Sequence, residues 1–310
     1  FKERGIDYRL DSLVLEISQD KVVSFSNAKD GYCEVKAKAI IMACGCIERT
    51  RGAIAIPGAR PKGVYTAGLA QKYLNMEGYL VGKKVFILGS GDIGLIMARR
   101  MTLEGAEVLG VAELMPYSNG LNRNIVQCLN DFNIPLYLSH TVSAIYGKDN
   151  LEGIEISQVD EKLQPIKGTE KRFDVDTLLL SVGLIPFNAL LEKIGAATSP
   201  RTKGAIVDQN LQTSISGVFS CGNCLHVHDL VDFVTKEGRK AGVAAASYIK
   251  NGAKEIAPNI TVKNGNCIGY VVPGLIRTEQ VYGDKVELNF RVTKPMKNKK
   301  LVVKMNGDVI

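Results

Sequence analysis

The residues best suited to chemistry begin at Gly89. Gly89-Ser90-Gly91-Asp92-Ile93-Gly94 places three glycines in a G-x-G-x-x-G spacing, directly after the apolar run 83–88 and before a helical pattern that continues through Glu104 and stops at Gly105. In a strand–loop–helix setting the first glycine permits the tight turn, the second lets a pyrophosphate approach the backbone, and the third lets the helix pack on the strand. The free N–H groups and positive dipole end of the helix then face the phosphates. Residues 107–112 read as the next strand, and Glu113 ends it, 22 positions after Gly91. A carboxylate there accepts hydrogen bonds from adenosine ribose hydroxyls and repels a 2′-phosphate, which favours NAD over NADP. The other reading of Glu113 is a solvated strand end.

Cysteine and histidine supply the remaining candidates. Seven cysteines is an odd number and no signal peptide accompanies them, so most are expected to be reduced core thiols rather than a disulfide framework. Cys221-Gly222-Asn223-Cys224 has the spacing of a redox dithiol, set against the plainer reading that Cys221 lies inside a strand motif. Cys44 and Cys46 form a C-x-C that becomes a zinc or iron–sulfur candidate only if the fold brings the other pair to it. The histidines are His140, His226 and His228, and the last two precede Asp229 just after the C-x-x-C. An imidazole there can exchange a proton during substrate oxidation, or simply serve as a polar residue at a helix start.

Two stretches share one rhythm and set the frame for these residues. Residues 5–45 and 133–183 each read as a strand, a hairpin of alternating residues, and an apolar strand ending in glycine, at Gly45 and Gly183. The second copy follows a full strand–loop–helix–strand–helix segment, whereas only four residues precede the first. The comparison leads to the expectation that the chain starts partway through a domain whose first βαβ half, with its own glycine loop, lies outside it.

Composition sets outer bounds. Of the 310 residues, 45% are hydrophobic and 23% charged, as in ordinary globular proteins. No apolar run approaches the ~20 residues of a membrane helix, and the chain is read as cytoplasmic. The formal charge is +7, concentrated in residues 251–310, which hold ten Lys/Arg against five Asp/Glu. The run Arg291, Lys294, Lys297, Lys299, Lys300, Lys304 is either a solvated face or a docking surface for an acidic partner. No nucleic-acid-binding module is present, so no nucleic-acid partner is expected. In the same region, Val286, Leu288, Phe290 and Val292 alternate as in a half-buried strand, and residues 301–303 read as a second short strand.

The motifs IIMACGCIERTRGAIAIPGARPKGVYTAG, VFILGSGDIGLIMARR, ELMPYSNGLNRNIVQCL, TLLLSVGLIPFN and GVFSCGNCLHVHDLVDFV together cover about residues 5–250. They resemble the two-dinucleotide-domain flavoproteins related to pyridine nucleotide-disulfide oxidoreductases. Within these they are similar to the NAD/FAD subunits found with glycerol-3-phosphate, opine or proline dehydrogenases and cyanide-forming amine oxidases. The resemblance implies a Rossmann-like α/β fold in which an NAD domain is inserted into an incomplete FAD domain, followed by a small β-rich C-terminal extension. It places residues 1–65 and 205–250 in the FAD domain, 66–184 in the NAD domain, 185–204 as a connection and 251–310 as the extension.

The implied activity is hydride transfer between NAD(H) and flavin, the alternative being a nucleotide-binding subunit that assembles with a partner dehydrogenase. The implied cofactors are NAD and, in the intact parent, FAD. NAD falls to Gly89, Ser90, Gly91, Asp92, Ile93, Gly94 and Glu113. Gly183, Cys44, Gly45, Gly222 and Asn223 are the further cofactor contacts, with Asn223 standing where disulfide reductases usually carry Asp. His226 and His228 are the catalytic candidates. Glu48, Arg49 and Arg51 are weaker candidates for substrate or flavin. Expected partners are a small-molecule substrate and a dehydrogenase subunit; a homo-oligomer is also allowed.

Overall fold

A computed structural model describes residues 2–252, 260–280 and 285–310. The chain forms two compact units, residues 1–46 with 186–310 and residues 47–185.

In chain order, β1 (Ser12–Ile17), β2 (Val22–Asn27) and β3 (Gly31–Lys36) form an antiparallel sheet, followed by β4 (Ile40–Met42) and β5 (Cys46–Glu48). Next come β6 (Val64–Thr66), α1 (Ala67–Lys72), β7 (Lys84–Leu88), α2 (Asp92–Leu103), β8 (Glu107–Glu113), α3 (Asn122–Cys128) and β9 (Leu136–Leu138). A second antiparallel sheet follows, β10 (His140–Tyr146), β11 (Gly153–Gln158) and β12 (Lys171–Phe173), and then β13 (Thr177–Leu180) and β14 (Leu184–Pro186). The chain continues through α4 (Ala189–Lys193), β15 (Val218–Ser220) and the long α5 (Val231–Asn251). Short strands close it: β16 (Ile260–Thr261), β17 (Ile268–Val272), β18 (Leu275–Ile276), β19 (Asn289–Val292), β20 (Lys304–Met305) and β21 (Asp308–Val309).

The unit 47–185 is built on a five-stranded parallel sheet in the order β6-β13-β7-β8-β9. Parallel strands covered on both faces need side chains that are apolar in both directions. β7 and β13 meet that need: Val85 and Ile87 pack with Leu95, Met97, Ala98 and Met101 of α2, while Phe86 and Leu88 pack with Val142, Ile145, Ile154 and Ile156 of the β10–β11 hairpin. One face thus carries helices and the other an antiparallel sheet. α2 ends at Glu104, where the N–H of Gly105 donates to Thr102 O and that of Ala106 to Met101 O, with Gly105 at φ +92°. This six-to-one and five-to-two pair of bonds satisfies the last carbonyls and stops the helix.

The other unit repeats the hairpin-then-strand plan. β1–β3 correspond to β10–β12 and β4 to β13. The register of β1 on β2 slips between Val14 and Glu16, and that of β10 on β11 between Val142 and Ala144, so the two copies carry a bulge at the same place. β4 pairs in parallel with β15. Its core joins Ile17, Ile40 and Met42 to Leu191, Ile194, Val207, Leu211, Val218, Leu225 and Ala241.

The compact units divide the chain at other places than the implied cofactor domains. β6 hydrogen-bonds to β13, so its unit begins at 47 rather than 66. Residues 185–204 are not a bare connection, since Leu191, Ile194 and Ala196 sit in the first unit's core. Part of the 251–310 region also belongs there: Val272 joins the same core, and the Arg277 guanidinium donates to the buried Asp208 carboxylate at 2.7 Å. Beyond that, β19 is confined to residues 289–292 and is exposed along its length, and 301–303 are not a strand. An alternating pattern does not bury a face when no layer covers it. Among the described residues, no helix is long and apolar enough to cross a membrane.

Candidate functional site

The glycine loop sits where β7 ends and α2 begins. Gly89 has φ +101°, and a Cβ on it would stand 2.0 Å from Ser181 O. A Cβ on Gly94 would stand 2.4 Å from Gly89 O and 2.9 Å from Ser181 Cβ. These two glycines are therefore demanded by the fold itself. Gly91 is different. It caps α2 with ordinary extended angles, and only Ser181 Oγ, at 4.0 Å, lies near its Cβ position. Open space over a helix N-terminus of twelve residues is the room a pyrophosphate needs.

Glu113 ends β8 and is only 5% exposed, so the solvated reading is set aside. Its Oε2 accepts from Ser90 N at 3.0 Å and Ser90 Oγ at 2.6 Å, and its Oε1 accepts from Met115 N at 3.0 Å. A carboxylate has about four acceptor positions, so one remains after these three bonds. Asp92 faces elsewhere: its Oδ1 accepts from Leu121 N at 2.8 Å and Asn124 Nδ2 at 2.7 Å, tying the start of α3 to the loop. Ser118 Oγ donates to Ser90 O at 3.0 Å, and a Cβ on Gly120 would meet Leu95 Cδ1 at 2.5 Å. Ser118, Gly120 and Asn124 buttress the loop and were not singled out from sequence; the Ser-Asn-Gly turn at 118–120 was their only signal. Ile93 is partly exposed on the first turn of α2.

Gly45 and Gly183 occupy matching places in the two copies, three residues after β4 and β13, at φ +73° and +101°. Phe187 N donates to Gly45 O at 3.1 Å and Arg49 N to Gly183 O at 3.0 Å. Each bond lies within one unit, and the two units make it in the same way. Glu48 and Arg51 are spent on local structure. Glu48 Oε1 accepts from Gly68 N at 2.7 Å, and Arg51 donates to the carbonyls of Ile56, Gly58 and Ala59.

The second group of residues follows β15. Gly222 takes φ +71°, and Asn223 Oδ1 accepts from His228 N at 3.0 Å, which leaves the amide NH2 to donate outward. His226 and His228 converge on a residue the sequence reading missed. His226 Nε2 lies 3.1 Å from Glu237 Oε1 and His228 Nε2 3.1 Å from Glu237 Oε2, while Gly222 N donates to Oε2 at 2.5 Å. The imidazole centroids are 4.1 Å apart, and Tyr270 OH lies 3.5 Å from His226 Nδ1. Burial alone would raise the Glu237 pKa, but the hydrogen bonds from His226 and His228 hold it at about 2. Glu237, Ala241 and Ala245 are the buried residues of α5. An acid on the otherwise small, buried stripe of a helix was the available signal. His140 is unrelated: its Nδ1 is 2.7 Å from Leu138 O, against Tyr137.

The Cys221–Cys224 pair is buried just after β15. All seven are thiols. Cys224 Sγ donates to Met42 O at 3.2 Å, and burial pushes the Cys221 thiol up to about 11, helped by Cys224, Glu237 and Cys44. Cys44 is exposed and has the buried Cys224 as an electrostatic neighbour. Among the described residues, no cysteine belongs to a group with metal-ligand spacing.

A parallel sheet with a glycine loop at one strand end and a buried acid at the next defines a dinucleotide-binding protein. A family model described as pyridine nucleotide-disulphide oxidoreductase matches residues 2–267, and the chain belongs to that family. An NADH oxidase of Methanocaldococcus jannaschii is 27% identical over 272 residues, 83% of this chain and 55% of the relative. An NADH oxidase of Streptococcus pneumoniae is 31% identical over 151 residues, 47% of this chain and 30% of the relative. The chain thus spans about half the length of the first relative. Thioredoxin reductase of T. acidophilum superposes with a TM-score of 0.60 at 24% identity, over 76% of this chain and 73% of that one. An NAD-dependent persulfide reductase of A. fulgidus does so with a TM-score of 0.60 at 22% identity, over 78% and 45%. These likenesses establish the Rossmann-like α/β fold. The cofactors of the family are FAD and NAD(P)H. The open space at Gly91 and the buried Glu113 fit NAD; Gly222 and the Asn223 amide at the end of β15 fit one edge of a flavin site.

Proposed function

We propose that the protein works as an NADH-dependent flavin oxidoreductase, with a hydride passing between NAD(H) and FAD. The observation that carries this reading is Glu113: a buried carboxylate fixed by three donors of its own chain, beside a glycine loop that is open only at Gly91. The nicotinamide and flavin, when bound, supply the redox chemistry; the protein supplies binding, orientation and exclusion of water. Gly89, Ser90, Gly91 and Gly94 with the start of α2 would hold the pyrophosphate. Glu113 would take a ribose hydroxyl on its remaining acceptor position and turn away a 2′-phosphate by charge.

Gly222 and Asn223 would hold the ribityl chain, and the positive end of the 21-residue α5 would favour negative charge on the reduced ring. Cys44, Gly45 and Gly183, each just past an apolar strand, would be further cofactor contacts. His226 and His228 stay the catalytic candidates for substrate oxidation, and with Glu237 between them they would act as one unit. The finer reading, a subunit working beside a dehydrogenase for glycerol 3-phosphate, an opine or proline, is supported by the long sequence motifs and by the basic run 291–304 as a surface for an acidic partner.

The test is a visible spectrum of the protein supplied with FAD, before and after NADH without oxygen. Retained flavin that NADH bleaches is expected. A protein that holds no flavin, or flavin that NADH leaves oxidised, overturns the proposal.

A further inference from the structure

His226, His228 and Glu237 present two imidazole nitrogens and a carboxylate, each residue offering a ligand atom within 4.8 Å of the others. We propose that these three residues form a site for one divalent transition metal ion, of the zinc or iron(II) kind, ligated by His226 Nε2, His228 Nε2 and a carboxylate oxygen of Glu237. This goes beyond the hydride transfer proposed above and does not depend on it.

Four features favour the site. First, ligand atoms on one tetrahedral ion at bond lengths of about 2.1 Å stand roughly 3.4 Å apart, and both imidazole–carboxylate separations here are 3.1 Å. Second, the donor set is selective: two imidazoles with one carboxylate suit zinc and iron(II), whereas magnesium and calcium prefer oxygen alone. Third, the groups behind the ligands are in place. Tyr270 OH faces His226 Nδ1, which turns Nε2 toward Glu237, and Gly222 N–H fixes the Glu237 carboxylate through Oε2. Fourth, His226 and Glu237 are buried and His228 half-buried, which shields the ligands from competing water. Three protein ligands leave a fourth position for water or an oxygen donor of a substrate, the pattern of catalytic rather than structural sites.

The experiment is a titration of the metal-stripped full chain with Co2+, followed by visible spectroscopy and by thermal unfolding. Binding of one equivalent is expected, with d–d bands, no thiolate charge-transfer band and a raised Tm. Glu237→Gln should weaken binding by about 100-fold or more, and Tyr270→Phe by about tenfold. Tyr270→Phe keeps the test open should the first variant fail to fold. Failure of the unaltered chain to take up one equivalent overturns the proposal. So does a thiolate band, which would place the ion on the cysteines, or affinity that survives Glu237→Gln in a folded protein.

Discussion

At the scale of single residues the three glycines of the loop separate into two kinds, and substitution tells them apart. Gly89→Ala forces a side chain into left-handed backbone and onto Ser181 O. It should cost about 2–3 kcal/mol in urea unfolding, and Gly94→Ala, pressed on Gly89 O, a similar amount. Gly91→Ala meets nothing closer than 4.0 Å. It should unfold like the unaltered protein yet bind NADH at least tenfold more weakly, and a large loss of stability without loss of affinity would contradict that role. The cysteines give a second residue-level expectation. Cys221 is buried with its thiol pushed up to about 11, whereas Cys267 is exposed. Mild alkylation near pH 8 followed by peptide mapping should mark Cys267 and spare Cys221, and Cys221→Ser should retain flavin reduction by NADH. Loss of that reduction would restore the dithiol reading.

At the scale of elements, two polar contacts hold the site in shape. Asp92→Ala removes both bonds that tie α3 to the glycine loop. About 1–3 kcal/mol of stability should be lost, and limited proteolysis should cut faster within 118–124. Glu237 joins α5 to the loop after β15. Glu237→Ala leaves Gly222 N–H and two imidazoles without their acceptor, a cost of about 3 kcal/mol in urea unfolding.

These two cases also mark what sequence can and cannot carry. The glycine loop, Glu113 and the repeated hairpin were legible because each depends on spacing within a short stretch, and a turn or strand end dictates the residue type there. Even the matched bulges follow from two copies of one pattern. Glu237 was not legible, because it lies eleven residues past His226 on another element and meets it only through the fold. The compact units divide at 46/47 and 185/186, within β5 and β14, strands of three residues each, too short to show a period in sequence. The alternation at 286–292 gave only the exposed β19, because apolar alternation reports burial only where a second layer exists, and the apolar run 301–303 forms no strand.

At the scale of the whole molecule, one chain carries two copies of a hairpin-and-strand plan, and each copy ends in a glycine whose carbonyl accepts a backbone bond from within its own unit. One copy is completed by a full parallel sheet with a nucleotide loop, and the other by β15, α5 and the histidine–carboxylate cluster. Choice of NADH rests on the glycine loop and its acid. The direct measurement is equilibrium binding of NADH and of NADPH to the purified chain, repeated with Glu113→Gln. A buried carboxylate near the 2′ position should favour NADH by at least about tenfold, and Glu113→Gln should narrow the gap. NADPH binding as tightly as NADH, or a preference unchanged by Glu113→Gln, would contradict the account.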